Sequence, residues 1–100
     1  MTGAGGNPAP SLPGRFGPSF DVRTVVVEPG GSRVYDEAEW RGAIVLLERG
    51  RIELVCSDGG RRAFGRGDVL WLEGLPVRAL HNPGREPAVL LAISRRPARR

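Results

Sequence analysis

One hundred residues, 40% of them apolar, suffice for one domain with a modest core and not for two. The formal net charge is +4, there is no lysine, and four arginines (Arg95, Arg96, Arg99, Arg100) crowd the last six positions. This composition excludes a low-complexity disordered chain, and no apolar run approaches the roughly 20 residues of a membrane helix.

In chain order, residues 1–19 are mostly Gly, Pro, Ala, Ser and Asn without periodicity. They are expected to form a disordered leader, with Phe16 and Phe20 available to anchor its end. Val22 to Glu28 is rich in β-branched residues and stops at Pro29-Gly30-Gly31, which predicts a strand and a tight turn. Ser32 to Tyr35 predicts a short strand, and Asp36 to Arg41 one helical turn at most. The unbroken run Ala43-Ile44-Val45-Leu46-Leu47 is the pattern of a strand buried on both faces. After a turn at Glu48 to Arg51, further strands are expected over Ile52 to Ser57 and Arg61 to Phe64, joined by the hairpin turn Asp58-Gly59-Gly60. Gly65-Arg66-Gly67-Asp68 turns the chain again; with no helix following, it is not a phosphate loop. Val69 to Glu73, Val77 to Leu80 and Ala88 to Ser94 complete the strands, and Asn82-Pro83-Gly84 turns between the last two.

Short strands with turns every 8 to 12 residues predict an all-β domain over residues 20–95, followed by a basic tail at 96–100. The expected architecture is a small antiparallel β-barrel or jelly roll of about eight short strands, closed so that few edges stay exposed. A domain this small buries little surface alone, so a homodimer is expected. Cys56 is the one cysteine and no secretory leader is visible, which suits a cytoplasmic setting.

Gly31, Gly50, Gly67-Asp68, and Asn82-Pro83-Gly84 followed by Glu86-Pro87 and an apolar strand resemble the two motifs of the cupin superfamily. The resemblance runs over roughly Val22 to Arg95 and is strongest in Leu46-Leu47-Glu48-Arg49-Gly50-Arg51-Ile52-Glu53-Leu54, with Gly67-Asp68-Val69-Leu70-Trp71-Leu72 behind it. It implies a cupin-like barrel. The first family motif, G-x5-H-x-H-x3-E-x6-G, counted back from Gly50, puts its glutamate on Ala43 and its histidines on Glu39 and Glu37. Its opening glycine then falls on Gly31. The second motif, begun at Gly67 and ended at Asn82, puts its histidine on Arg78, while Glu73 and Leu75 replace a proline and a glycine.

All four family metal-ligand positions are therefore replaced, one by a methyl group and one by a guanidinium that keeps its proton. No metal and no other cofactor is expected. In this register Arg78 faces Glu37 and Glu39 at the barrel mouth, which implies a grip on a carboxylate or phosphate. Trp71 and Trp40 are the candidate ligand walls, and Glu37 and Glu39 the candidate catalytic acid or base. The same residues also fit a surface turn, an ion pair filling a dead site, and core or rim packing; strand alternation does not decide the face of Arg78.

The function so implied is metal-independent binding of a small, acidic organic ligand. The alternatives are a metal-free isomerase or cyclase of a specialised pathway, and a non-catalytic interaction or regulatory subunit. His81 lies three places past the motif's histidine position and Cys56 ends an apolar strand, and neither has an evident activating partner. Without a recognition helix or zinc finger, sequence-specific nucleic-acid binding is not expected, although the arginine tail could hold a phosphate backbone.

Overall fold

The computed structural model describes residues 19–96. The leader up to residue 18, Phe16 included, and the tail from residue 97, with Arg99 and Arg100, lie outside the described residues. The elements are β1 (Phe20–Val27), β2 (Ser32–Val34), α1 (Glu37–Trp40), β3 (Ala43–Arg49), β4 (Arg51–Cys56), β5 (Arg61–Gly65), β6 (Val69–Leu70), β7 (Val77–His81) and β8 (Ala88–Arg95). The strands form two four-stranded sheets, ordered β1-β8-β3-β6 and β2-β7-β4-β5. Every pairing within them is antiparallel. The expected all-β, jelly-roll architecture is the one observed.

The pleat sorts side chains between the two faces of each sheet. On β8, Ala88, Leu90 and Ala92 point into the barrel, where they meet Val45 and Leu47 of β3 and Val25 and Val27 of β1. From the second sheet come Ile52, Leu54, Leu80 and Val77. The interior is thus an aliphatic core, completed by the wholly buried Trp40.

The other face of the first sheet is also apolar. Val89, Leu91 and Ile93 of β8 lie on it, with Ile44 and Leu46 of β3 alongside. Val26 is 47% exposed there, Ile44 49% and Val69 63%. The run Ala43 to Leu47 is therefore covered on one face only in the single chain, where its unbroken apolarity predicts cover on both.

Two turns tie the sheets together. Glu28-Pro29-Gly30-Gly31 closes with Gly31 N–H donating to the Glu28 carbonyl at 2.8 Å, and Gly30 takes the positive φ of 75° that this turn demands. Asn82 is wholly buried beside it. Its side-chain amide donates to the Val27 carbonyl at 2.9 Å and the Glu86 carbonyl at 2.8 Å, while its oxygen accepts from Gly84 N–H at 2.8 Å. The residue read from sequence as a turn former is thus a buried clamp between the β1–β2 and β7–β8 turns.

β6 is shorter than Val69 to Glu73, because the chain leaves the sheet after Leu70. Leu70 and Leu72 are still buried, and Trp71 between them is 50% exposed.

Candidate functional site

The interior face of each sheet ends in an arginine. On β1, Arg23 continues the inward row of Val27 and Val25 at two-residue spacing. On β2, Arg33 stands directly across from Leu80, a wholly buried residue of β7, and so shares its inward face. Both guanidinium groups reach one carboxylate, that of Glu39 on α1.

Arg23 Nη1 lies 3.3 Å from Glu39 Oε2, and its Nη2 donates to the Glu39 carbonyl at 2.7 Å. Arg33 Nη2 donates to the same Oε2. α1 holds this carboxylate in place: Asp36 caps the turn by accepting from Ala38 N–H at 3.1 Å, and Trp40 at its end is buried in the core. Arg23 also lies over the Trp40 ring, its Cζ 5.1 Å from the centroid.

Two positive charges share one negative charge, so the cluster carries a net positive charge at the border of the core. Two of its N–H donors, Arg33 Nε and Trp40 Nε1, are buried and have no hydrogen-bond partner among the described residues. A buried donor without an acceptor costs about 1–3 kcal/mol. The cluster therefore gains from any oxygen-bearing group that reaches these donors.

The residues singled out from sequence do not all meet here. Glu39 and Trp40 belong to the cluster. Glu37 instead pairs with Arg41 on the outer side of α1, Nη2 to Oε1 at 2.5 Å. The Arg41 hydrogen bond holds the Glu37 carboxyl below its ordinary pKa, which makes it a poor proton acceptor. The structure thus places Glu37 apart from the Arg23, Arg33 and Glu39 cluster.

Arg78 does not face Glu37 or Glu39. β4 pairs Val55 with Ala79 and Cys56 with Val77, which leaves Arg78 as the extra residue of a bulge. Val77 takes the buried place, and Arg78 is exposed with no ion pair among the described residues. Trp71 is likewise no wall of the interior, since Leu70 and Leu72 fill the inward positions and alternation turns the indole outward. His81 is on the outer face, its Nδ1 3.0 Å from Ser32 Oγ.

Sequence reasoning missed Arg23 and Arg33. The signal lay in alternation, which puts Arg23 in the row of Val25 and Val27.

The family's metal positions do not fit a metal ion. Glu39 is engaged by two guanidinium groups, Glu37 by a third, Ala43 is a buried methyl group and Arg78 stands outside. Among the described residues, no three His, Cys, Asp or Glu side chains gather where they could hold one.

A second feature is a cavity of about 140 Å³ at the far end of β4, lined by Cys56, Asp58, Arg61, Arg62, Leu75 and Pro76. Arg61 is taken by Glu53 at 2.7 Å, and Asp58 by Gly60 N–H at 2.8 Å. Arg62 is left as the cavity's one cation without an ion pair among the described residues.

Among solved structures, the chain is similar to a Cupin 2 conserved barrel domain protein from Salinispora arenicola CNS-205. The two share 31% identity with a TM-score of 0.61, over 87% of this chain and 68% of that one. It is also similar to the Cupin 2 domain of an XRE family transcriptional regulator from Enterobacter cloacae. There the identity is 22% and the TM-score 0.59, over 80% of this chain and 84% of that one, a likeness of fold alone. No family model and no curated protein matches the chain.

Proposed function

Since the chain belongs to the cupin superfamily, we propose that it uses the barrel without a metal, as a binding module for a small organic acid. The observation that carries this reading is the pair of inward-facing arginines, Arg23 and Arg33, beside two buried N–H donors that lack acceptors. A ligand carboxylate or carbonyl would accept from Arg33 Nε or Trp40 Nε1 and balance the surplus positive charge. The indole of Trp40 is fixed by the core and by Arg23 above it, which sets the position of its Nε1. Specificity in this scheme comes from donor placement, because a ligand without an oxygen there leaves both donors unpaired.

The binding reading is favoured over catalysis by the state of the carboxylates. A general base needs a free lone pair near neutral pH. Both oxygens of Glu37 accept from Arg41, and Glu39 is clasped from both sides. The interior cluster is favoured over the cavity at Cys56 because its unpaired donors are buried, whereas the free cation of that cavity, Arg62, is exposed.

The test is a thermal-shift screen of small mono- and dicarboxylic acids against the full chain and its Arg33→Ala variant. A binder at a hundred times its Kd stabilises by about 2.7 kcal/mol, a readily measured shift. The expected result is a shift for a subset of acids that Arg33→Ala abolishes. Equal shifts in both proteins, or no acid that shifts either, would sink the reading.

A further inference from the structure

We propose that the cavity at the end of β4 is a binding site of its own, for the zwitterion of a small α-amino acid. Its apolar lining is Pro76, the buried Cys56, and Leu75, which packs against the core. The turn after β4 and the segment before β7 enclose it, and backbone bonds fix the two relative to each other. Ser57 N–H donates to the Pro76 carbonyl at 2.8 Å, Cys56 N–H to the Gly60 carbonyl at 2.8 Å, and Gly59 N–H to the Cys56 carbonyl at 3.0 Å. The cavity is thus shaped before a ligand arrives, which lowers the entropy cost of binding.

One free charge of each sign borders it. Arg62 stands across from the wholly buried Leu54, so it leaves the sheet on the side that Leu54 and Cys56 share. Its neighbour Arg61 turns the other way and is held by Glu53 at 2.7 Å. Asp58 accepts from Gly60 N–H through Oδ1 at 2.8 Å, which leaves Oδ2 for another donor. Among the described residues, neither Arg62 nor Asp58 forms an ion pair, with each other or with a third group.

These two charges select the ligand class. A plain carboxylate is drawn by Arg62 and repelled by Asp58, and a plain amine the reverse, so neither gains from both. A molecule with a carboxylate and an ammonium on one carbon answers both: the carboxylate accepts from the Arg62 guanidinium, and the ammonium donates to Asp58 Oδ2. Its side chain is then left to Leu75, Pro76 and Cys56. The volume of about 140 Å³ sets the size. At roughly 30 Å³ for each water of the liquid, it holds about five waters, room for alanine or serine and not for an aromatic amino acid. Because Arg62 and Asp58 are exposed, the affinity belongs in the millimolar range. The interior cluster differs in this respect, since its surplus positive charge suits a plain acid.

Cys56 is the chain's one cysteine, so its rate of alkylation by iodoacetamide reports whether the cavity is filled. L-Alanine is expected to slow the reaction saturably, whereas propionate and ethylamine at equal concentration leave the rate unchanged. L-Phenylalanine, too large to enter, should also give no protection. Arg62→Gln and Asp58→Asn are each expected to raise the half-saturating alanine concentration roughly three- to tenfold. Asp58→Asn keeps the side-chain oxygen that accepts from Gly60 N–H, so the turn survives the loss of charge. Arg66→Ala, which removes an exposed arginine from a different turn, should leave alanine protection as it is. The amide shifts of Gly60 and Leu75 on titration with L-alanine read the same occupancy without the reagent, and their constancy would overturn the site. Protection by propionate equal to that by alanine would overturn the zwitterion as the ligand class. Alanine protection unchanged in both Arg62→Gln and Asp58→Asn would overturn the assignment of the two charges.

Discussion

Gly50 is packed so tightly against Pro87 that a Cβ there would stand 2.7 Å from the Pro87 carbonyl oxygen and 2.8 Å from Ala88 Cα. The residue also holds a φ of 80°. Both obstacles are backbone, so neither can swing aside. Gly50→Ala is predicted to cost about 3 kcal/mol or more, combining left-handed strain with the clash. Gly42 is the control: its φ is 72°, but a Cβ would meet nothing within 4 Å. Gly42→Ala should cost only about 1–2 kcal/mol. Urea midpoints measured on both variants decide the matter; equal losses would mean that the Gly50–Pro87 contact yields.

Asn82→Ala removes the clamp between two turns. Two carbonyls and one N–H lose their partner, the Val27 carbonyl at a buried bond and the other two at part-buried ones. The expected loss is about 2–4 kcal/mol by chemical denaturation. A loss under about 1 kcal/mol would show that the turns hold each other through the backbone bonds alone.

Tyr35 is the chain's one tyrosine, so its phenolate absorbance can be titrated without interference from another. Burial raises its pKa above the ordinary value near 10, and the carboxylates of Glu37, Glu73 and Asp36 push the same way. The folded protein therefore keeps this proton at a pH where the unfolded chain has lost it. The resulting stability is complete below about pH 10 and is lost as pH rises through the folded pKa. Glu37→Gln should bring the midpoint down towards that of free tyrosine. A wild-type midpoint at or below the free value would contradict the assignment.

Arg78→Ala should be silent. The side chain is exposed on a bulge and makes no ion pair among the described residues. Stability should change by less than about 0.5 kcal/mol. Any acid that shifts the wild type should shift this variant equally, in contrast to Arg33→Ala. Loss of the shift in Arg78→Ala would return the binding site to the position the family motif implies.

Much of the fold was legible because its signals are local. β-branched runs, Pro-Gly and Asp-Gly turns, and the glycines at 31, 50 and 67 delimit nearly every strand to within a residue or two. The site was less legible because two bulges break the two-residue period. The bulge at Arg78 exchanges it for Val77 in the buried row, and the one at Glu48 turns a carboxylate outward. Spacing carried over from the family motif assumes an unbroken strand and fails at such points. Arg23 and Arg33 were open to discovery by alternation. Their meeting at Glu39 is tertiary, set by the way α1 packs against both sheets.

The strand order also governs when the barrel can form. β8 is the last strand of the barrel to be synthesised, yet it lies between β1, the first, and β3. Until Ala88 to Arg95 has left the ribosome, β1 has no partner strand in its sheet and β3 has only the short β6. Closure of the barrel is thereby deferred until β8 has emerged, with a high contact order and correspondingly slow folding. A nascent chain stalled before β8 would expose Val25, Val45 and Leu47 together, a natural substrate for chaperones.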